Sequence, residues 1–156
     1  MSRRRPAVKR EIAPDPRFND VELGRFINRL MMKGKKSIAQ RITYNAFDII
    51  QEESNREPLE VFQQALRNAT PAVEVRPKRI GGSTIQVPTE LRAVRSEALA
   101  MRWLINGARS RNGRPMRRGL AQELMDASRG EGTAVRRREE LHRMAEANRA
   151  FVSYRR

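Results

Sequence analysis

The sequence predicts a mainly α-helical single domain: six helices, a protruding two-stranded β-hairpin, and extended basic termini. Three observations lead there. Apolar residues recur with helical spacing over six separate stretches. Only one pair of runs alternates with period two, around Gly81-Gly82. Charge is unevenly spread: residues 19–75 hold eight basic and eight acidic side chains, whereas residues 92–118 hold eight basic and one acidic.

Residues 1–18 contain Pro6, Pro14 and Pro16 and no apolar periodicity. They read as a basic arm, expected to order only on a partner. From Asp20, suited to an N-cap, Val21, Phe26, Ile27, Leu30 and Met31 mark a first helix. Lys33-Gly34-Lys35-Lys36 breaks it. A second helix follows with Ile38, Ile42, Ala46, Ile49 and Ile50 on one face, ending at Ser54-Asn55-Arg56. Pro58 suits the first position of a third, carrying Leu59, Phe62, Leu66 and Ala69.

Pro71 ends that helix and the period changes. Val73 and Val75, then Ile85 and Val87, alternate with polar residues, which predicts a ribbon at about 72–88 closed by Pro88. Pro77 confines its strand to an edge. A lone ribbon is marginal in water, so it must pack on helices or be steadied by a ligand. The four aliphatic residues are expected to hold its base. Arg76, Lys78 and Arg79, toward the tip, favour a phosphate ligand, and Ala at these three is expected to leave the fold intact.

Leu91, Val94, Ala98, Met101, Ile105 and Ala108 mark a fourth helix, with Arg92, Arg95, Arg102 and Arg109 mostly off that stripe. Asn112-Gly113 is a turn. Pro115 opens a fifth helix through Leu120, Leu124 and Ala127. Gly130 and Gly132 bracket a break, and Thr133 is suited to cap a sixth helix from 134 to about 148. Residues 150–156 have no helix signal. The organisation is therefore an arm (1–18), a helical domain (19–148) and a basic tail (149–156).

Composition narrows the chemistry. The 156 residues carry 33 Lys and Arg against 18 Asp and Glu, a formal charge of +15, with 38% hydrophobic and 5% aromatic residues. There is no Cys and one His, His142, which removes disulfides, thiolate or His-cluster metal sites and cysteine nucleophiles. No apolar run nears the ~20 residues of a membrane span, and no apolar segment follows Arg3-Arg4-Arg5, so no secretory signal is expected. The expectation is a cytoplasmic protein without cofactor, whose charge is answered by a polyanion. Of the basic residues 28 are Arg and five Lys. Arg forks match phosphate and stack on bases, though a GC-rich genome produces the same bias.

Lys33-Gly34-Lys35-Lys36 places lysines at a helix N-terminus, where free N–H groups favour phosphate; the alternative is a solvated basic turn. It lacks the frame of a Walker loop. Gly81-Gly82 lies between two strands, so a hairpin turn is the better reading than a phosphate cradle. Trp103, in the Arg-rich fourth helix, suits either stacking on a base or covering the edge of the core; with Met101 and Ile105 on the apolar face, packing is the better reading. His142, with Glu139 and Glu146 nearby, offers a local helix ion pair at most. Glu52-Glu53 and Glu139-Glu140 read as solvated helix charges, and nothing supplies a nucleophile, base and orienter, so no enzyme is expected. In the tail, Arg149, Tyr154, Arg155 and Arg156 suit stacking plus phosphate contact on irregular RNA; the alternative is a frayed terminus.

Four segments in order carry a resemblance: DVELGRFINRLMMKGKKSIAQRITYNA (20–46), VEVRPKRIGGSTIQVP (73–88), EALAMRWLINGAR (97–109) and GTAVRRREELHRMAEANRAF (132–151). They resemble the signature of the family of the bacterial small-subunit ribosomal protein number seven, over nearly the whole chain. One departure is Thr43, where the family usually has an aliphatic residue. The resemblance implies a six-helix domain with a β-ribbon, and early direct binding to the 3′ major domain of 16S rRNA that starts assembly of the 30S head. It further implies a place beside exit-site tRNA and the emerging mRNA, and contact with small-subunit proteins number nine and eleven.

On this reading the helices are scaffold, and the arm, lysine turn, ribbon and fourth helix make one rRNA surface. The expected rRNA-binding residues are Arg3, Arg4, Arg5, Lys9, Arg10, Lys35, Lys36, Arg76, Lys78, Arg79, Arg92, Arg95, Arg102, Arg109, Arg111 and Arg114. Those expected near tRNA and mRNA are Lys78, Arg79, Gly81, Gly82, Arg143, Arg149 and Tyr154. Two rivals stay open. Arg95, Arg102 and Arg109, at seven-residue intervals, would also suit a DNA groove, but a ribbon and two tails have no place in a helix-turn-helix dimer. A basic membrane-surface protein would need apolar faces that the core already uses.

Overall fold

The computed structural model describes residues 10–155; the expectations for Arg3, Arg4, Arg5, Lys9 and Arg156, and for the side chain of Arg155, lie outside the described residues. Asp20 opens α1 (Val21–Leu30) as its residue type predicts, its carboxylate accepting from the Leu23 N–H at 2.7 Å. The helix buries Leu23, Phe26, Ile27 and Leu30. After the lysine turn, α2 (Lys36–Ser54) turns Ala39, Thr43, Ala46, Phe47 and Ile50 inward. Its stripe thus differs from the expected one: Ile38 is exposed, and Ile42 and Ile49 lie at the edges. Phe47 decides the rotation, because its ring packs on Phe62 and Phe18. Thr43, fully buried, satisfies its hydroxyl on the Ala39 carbonyl at 2.9 Å, so the polar departure costs the core no unmade hydrogen bond.

Pro58 is the first residue of α3 (Pro58–Ala69), whose Phe62 ring lies 5.2 Å from Phe26 and 6.1 Å from Phe47. The ribbon follows as β1 (Val73–Ile80) and β2 (Ser83–Glu90), antiparallel, with Val73 opposite Glu90 and Ile80 opposite Ser83. Gly81 (φ 54°) and Gly82 (φ 90°) form the two-residue loop, both left-handed as a twisted hairpin requires. Pro88 does not close the ribbon: it pairs opposite Val75, and the strand runs on to Glu90, because an edge strand loses no ladder bond to proline.

α4 (Ala93–Arg109), α5 (Met116–Ser128) and α6 (Gly132–Ala147) complete the domain; among the described residues there are six α-helices and one two-stranded sheet. α5 is the central element. It packs on α2, α3, α4 and α6 and contributes Leu120, Ala121, Leu124 and Ala127 to the core. The stripe of α4 runs through Leu99, Ala100, Met101, Leu104, Ile105 and Ala108, not through Val94, which is 72% exposed.

Three further expectations are corrected. The root of the arm is part of the fold: Asp15 is only 2% exposed, accepts from the Phe18 N–H and from the Tyr44 hydroxyl (2.8 Å), and seats Phe18 on Phe47. The tail is not irregular: Arg149–Arg155 form a 3₁₀ helix packed against β2. Thr133 does not cap α6, which begins at Gly132; its side chain is exposed, and the Ala134 N–H instead donates to Glu123 of α5 at 2.9 Å.

Candidate nucleic-acid interface

On α4, Arg95, Arg102 and Arg109 recur every seven residues and so share one exposed stripe, opposite the buried one. With Arg92 at its N-cap, the stripe runs the helix's 17 residues, about 25 Å. At its far end the Arg109 guanidinium donates to the Leu30 carbonyl at 3.2 Å. That bond brings the end of α1, and hence exposed Lys33, Lys35 and Lys36, to the end of α4. The α4–α5 loop adds Arg114 there, and the first turn of α5 adds Arg117 and Arg118, all exposed. At the other end, a groove between α1 and the start of α4 is lined by Arg10, Arg25 and Arg29 together with Glu11 and Glu97, and Arg25 pairs with Glu97 at 3.3 Å. Arg102 and Arg109 therefore lie on the exposed stripe of α4 with Arg92 at its start, Arg109 meets the end of α1 ahead of Lys35 and Lys36, Arg114 follows in the next loop, and Arg10 lines the α1–α4 groove. Arg117 and Arg118 lie outside the expected set, although the density of arginine after Asn112-Gly113 was a usable signal.

The ribbon holds a second group. Glu74, not a valine, is the most buried residue of β1, at 7% exposure; Val87 is buried, and Val73, Val75 and Ile85 are half-buried. Arg76 and Arg95 (3.4 Å) converge on the Glu74 carboxylate, so a polar junction joins ribbon to α4. Buried carboxylates are tolerated when paired. Arg76 is thus partly structural, and Ala there is expected to cost more than an exposed change. Lys78 donates to the Tyr154 carbonyl at 2.9 Å, which ties the ribbon to the terminal helix. Arg79 is exposed, as are Gly81 and Gly82 at the tip. Arg143 and Arg149 are exposed at the end of α6 and beyond it, and Tyr154 shows 47% of its surface beside Phe151.

Arg111 stands apart. Its guanidinium contacts Glu123 at 2.9 Å and Asp126 at 2.6 Å, and Glu123 is fully buried. Burial, the largest influence, disfavours the charge, but the two carboxylates outweigh it and raise its pKa. Its fork is committed to the interior. His142 accepts from the Ala72 N–H at 3.2 Å and makes no ion pair among the described residues; burial, then the Arg138 charge, lowers its pKa. Among the described residues no group of three or more His, Asp or Glu could hold a metal ion, and no helix is long and apolar enough to cross a membrane.

Comparison with known proteins gives this surface its context. A family model described as ribosomal protein S7p/S5e matches residues 2–149. The chain belongs to the ribosomal protein S7p/S5e family. Its relatives include the small ribosomal subunit protein uS7 of Maricaulis maris, 58% identical over 155 residues and covering 99% of both chains. The protein of the same name from Cellvibrio japonicus is 55% identical over 155 residues, again 99% of both. That of Thermotoga maritima is 54% identical over 153 residues, 98% of this chain and 99% of the relative. Members of the S7p/S5e family are structural ribosomal proteins, not enzymes, and in this member the basic residues outside the neutral stretch fall on the ribbon, α4 and the loop after it, both ends of α5, α6 and the termini.

Proposed function

We propose that this chain is a cytoplasmic small-subunit ribosomal protein that binds 16S rRNA directly, within the 3′ major domain, and starts assembly of the 30S head. The observation that carries the reading is the row of exposed arginines along α4, from Arg92 to Arg109, with Arg114 in the loop that follows and the lysine turn tethered beside Arg109, in a member of this family. A rigid helical body holds these cations at fixed spacing. Phosphate contacts set position, and RNA shape sets specificity. The ribbon tip and the terminal helix reach away from the core and are read as neighbours of exit-site tRNA and mRNA, with proteins number nine and eleven of the small subunit alongside.

Filter binding to a transcript of the 3′ major domain tests this. Six or more phosphate contacts predict a loss on the order of 10³-fold between ~50 and ~200 mM salt. Duplex DNA of equal length should compete poorly. A flat salt response, or equal competition by DNA, would refute the proposal.

The ribbon should be separable from the body. Arg76 and Val87 are cross-strand partners, so a two-residue Asn-Gly turn can join them in place of residues 77–86. This variant should keep the Glu74 junction and the helices, and should assemble the head. It should lose exit-site tRNA retention in reconstituted subunits. Failure of head assembly with an intact free protein would reverse this division of labour.

A further inference from the structure

A groove of about 380 Å³ lies between α4 and α6. Its floor is Trp103, half-buried and packed against the core on one side, together with Gly107. Gly107 has no room for a side chain, because the Glu123 carboxylate lies 2.6 Å from where its Cβ would sit. Asn106, Thr133 and Arg136 line the walls. All three are exposed, and among the described residues none of their side chains makes a hydrogen bond or ion pair. Arg137 and Glu140 at the rim neutralise one another at 2.9 Å, so the uncompensated charge is that of Arg136. Asn106 lies between Arg102 and Arg109 along α4, so the groove opens beside the arginine stripe.

The groove therefore combines an aromatic surface, an amide that both donates and accepts, a hydroxyl and a free guanidinium. A partner helix would want a run of apolar side chains, whereas here the large apolar side chain is Trp103 alone. One unpaired nucleobase wants this set: a ring to stack on, a donor and acceptor for its edge, and a cation for its phosphate. We infer that the groove takes a single base extruded from the bound rRNA, stacked on Trp103, with Asn106 on its edge and Arg136 on the adjoining phosphate. This rests on the rRNA-binding reading above.

Trp103 is the sole tryptophan, so indole emission reports on this groove alone. The full chain is titrated with the 3′ major domain transcript while filter retention is followed in parallel. Emission should be quenched, and shielded from acrylamide, in step with retention. Trp103→Ala should weaken retention about tenfold and Trp103→Phe less, since a ring remains. Asn106→Ala with Arg136→Ala, both at exposed positions, guards against misfolding of the tryptophan variant and should diminish the quench and the retention together. Retention with unchanged emission overturns the groove and leaves rRNA binding standing. Absence of retention overturns the underlying reading and the groove with it. Quenching that appears only when other small-subunit proteins are added, or equally with millimolar mononucleotides, assigns the groove to another occupant and overturns the inference.

Discussion

Replacing Glu123 with Ala is expected to destabilise the free protein by about 3 kcal/mol, the lower end of the cost of removing one member of a buried ion pair. The carboxylate is fully buried and serves three elements at once. One oxygen accepts from the Ala134 N–H at the start of α6, and the other accepts from Arg111 in the α4–α5 loop. The group also fills the space left by Gly107 of α4. Without it Arg111 keeps Asp126, which is why the upper end of the range is not expected. Glu123→Gln keeps the shape and an acceptor for Ala134 but removes the charge, and should cost about 1–2 kcal/mol. Gly107→Ala drives a methyl into the same carboxylate and should cost about 1–3 kcal/mol by overpacking. Urea unfolding of the RNA-free protein measures all three. Costs within about 0.5 kcal/mol for every variant, the range of ordinary surface changes, would show that the buried carboxylate does not organise these helices.

The second large effect is on RNA binding. Arg92, Arg102 and Arg114 are exposed, and none forms an ion pair among the described residues. Removing all three should leave stability nearly unchanged. Affinity for the 3′ major domain transcript should fall on the order of 10²-fold near ~100 mM salt, and the slope of log affinity against log salt should flatten by about 2–3, roughly one for each phosphate no longer neutralised. Arg95 is excluded from the set because it holds Glu74, and its removal would mix folding with binding. Arg56→Ala, in the α2–α3 turn within the neutral stretch, is the control and should alter neither quantity. An unchanged slope in the triple variant would mean that the α4 face does not meet the phosphates.

Six helices, the ribbon and the basic character of the surface are legible in the chain alone. These are local matters: apolar period sets helix or strand, Asp20 and Pro58 mark starts, Gly81-Gly82 sets the hairpin loop, and charge density along the chain does not depend on folding. Tertiary packing settles what depends on which neighbours arrive. It rotates α2 toward Phe47, leaves Val94 exposed, and folds Arg149–Arg155 onto β2. It also splits arginines of identical type into two groups. Arg111, with Arg76 and Arg95 in part, answers buried carboxylates whose burial no local pattern announces, while Arg92, Arg102, Arg114 and Arg136 remain unpaired among the described residues. The physical reason is that an acid such as Glu74 or Glu123 reads as solvated until distant elements close over it, and only then does the low-dielectric site demand a particular cation.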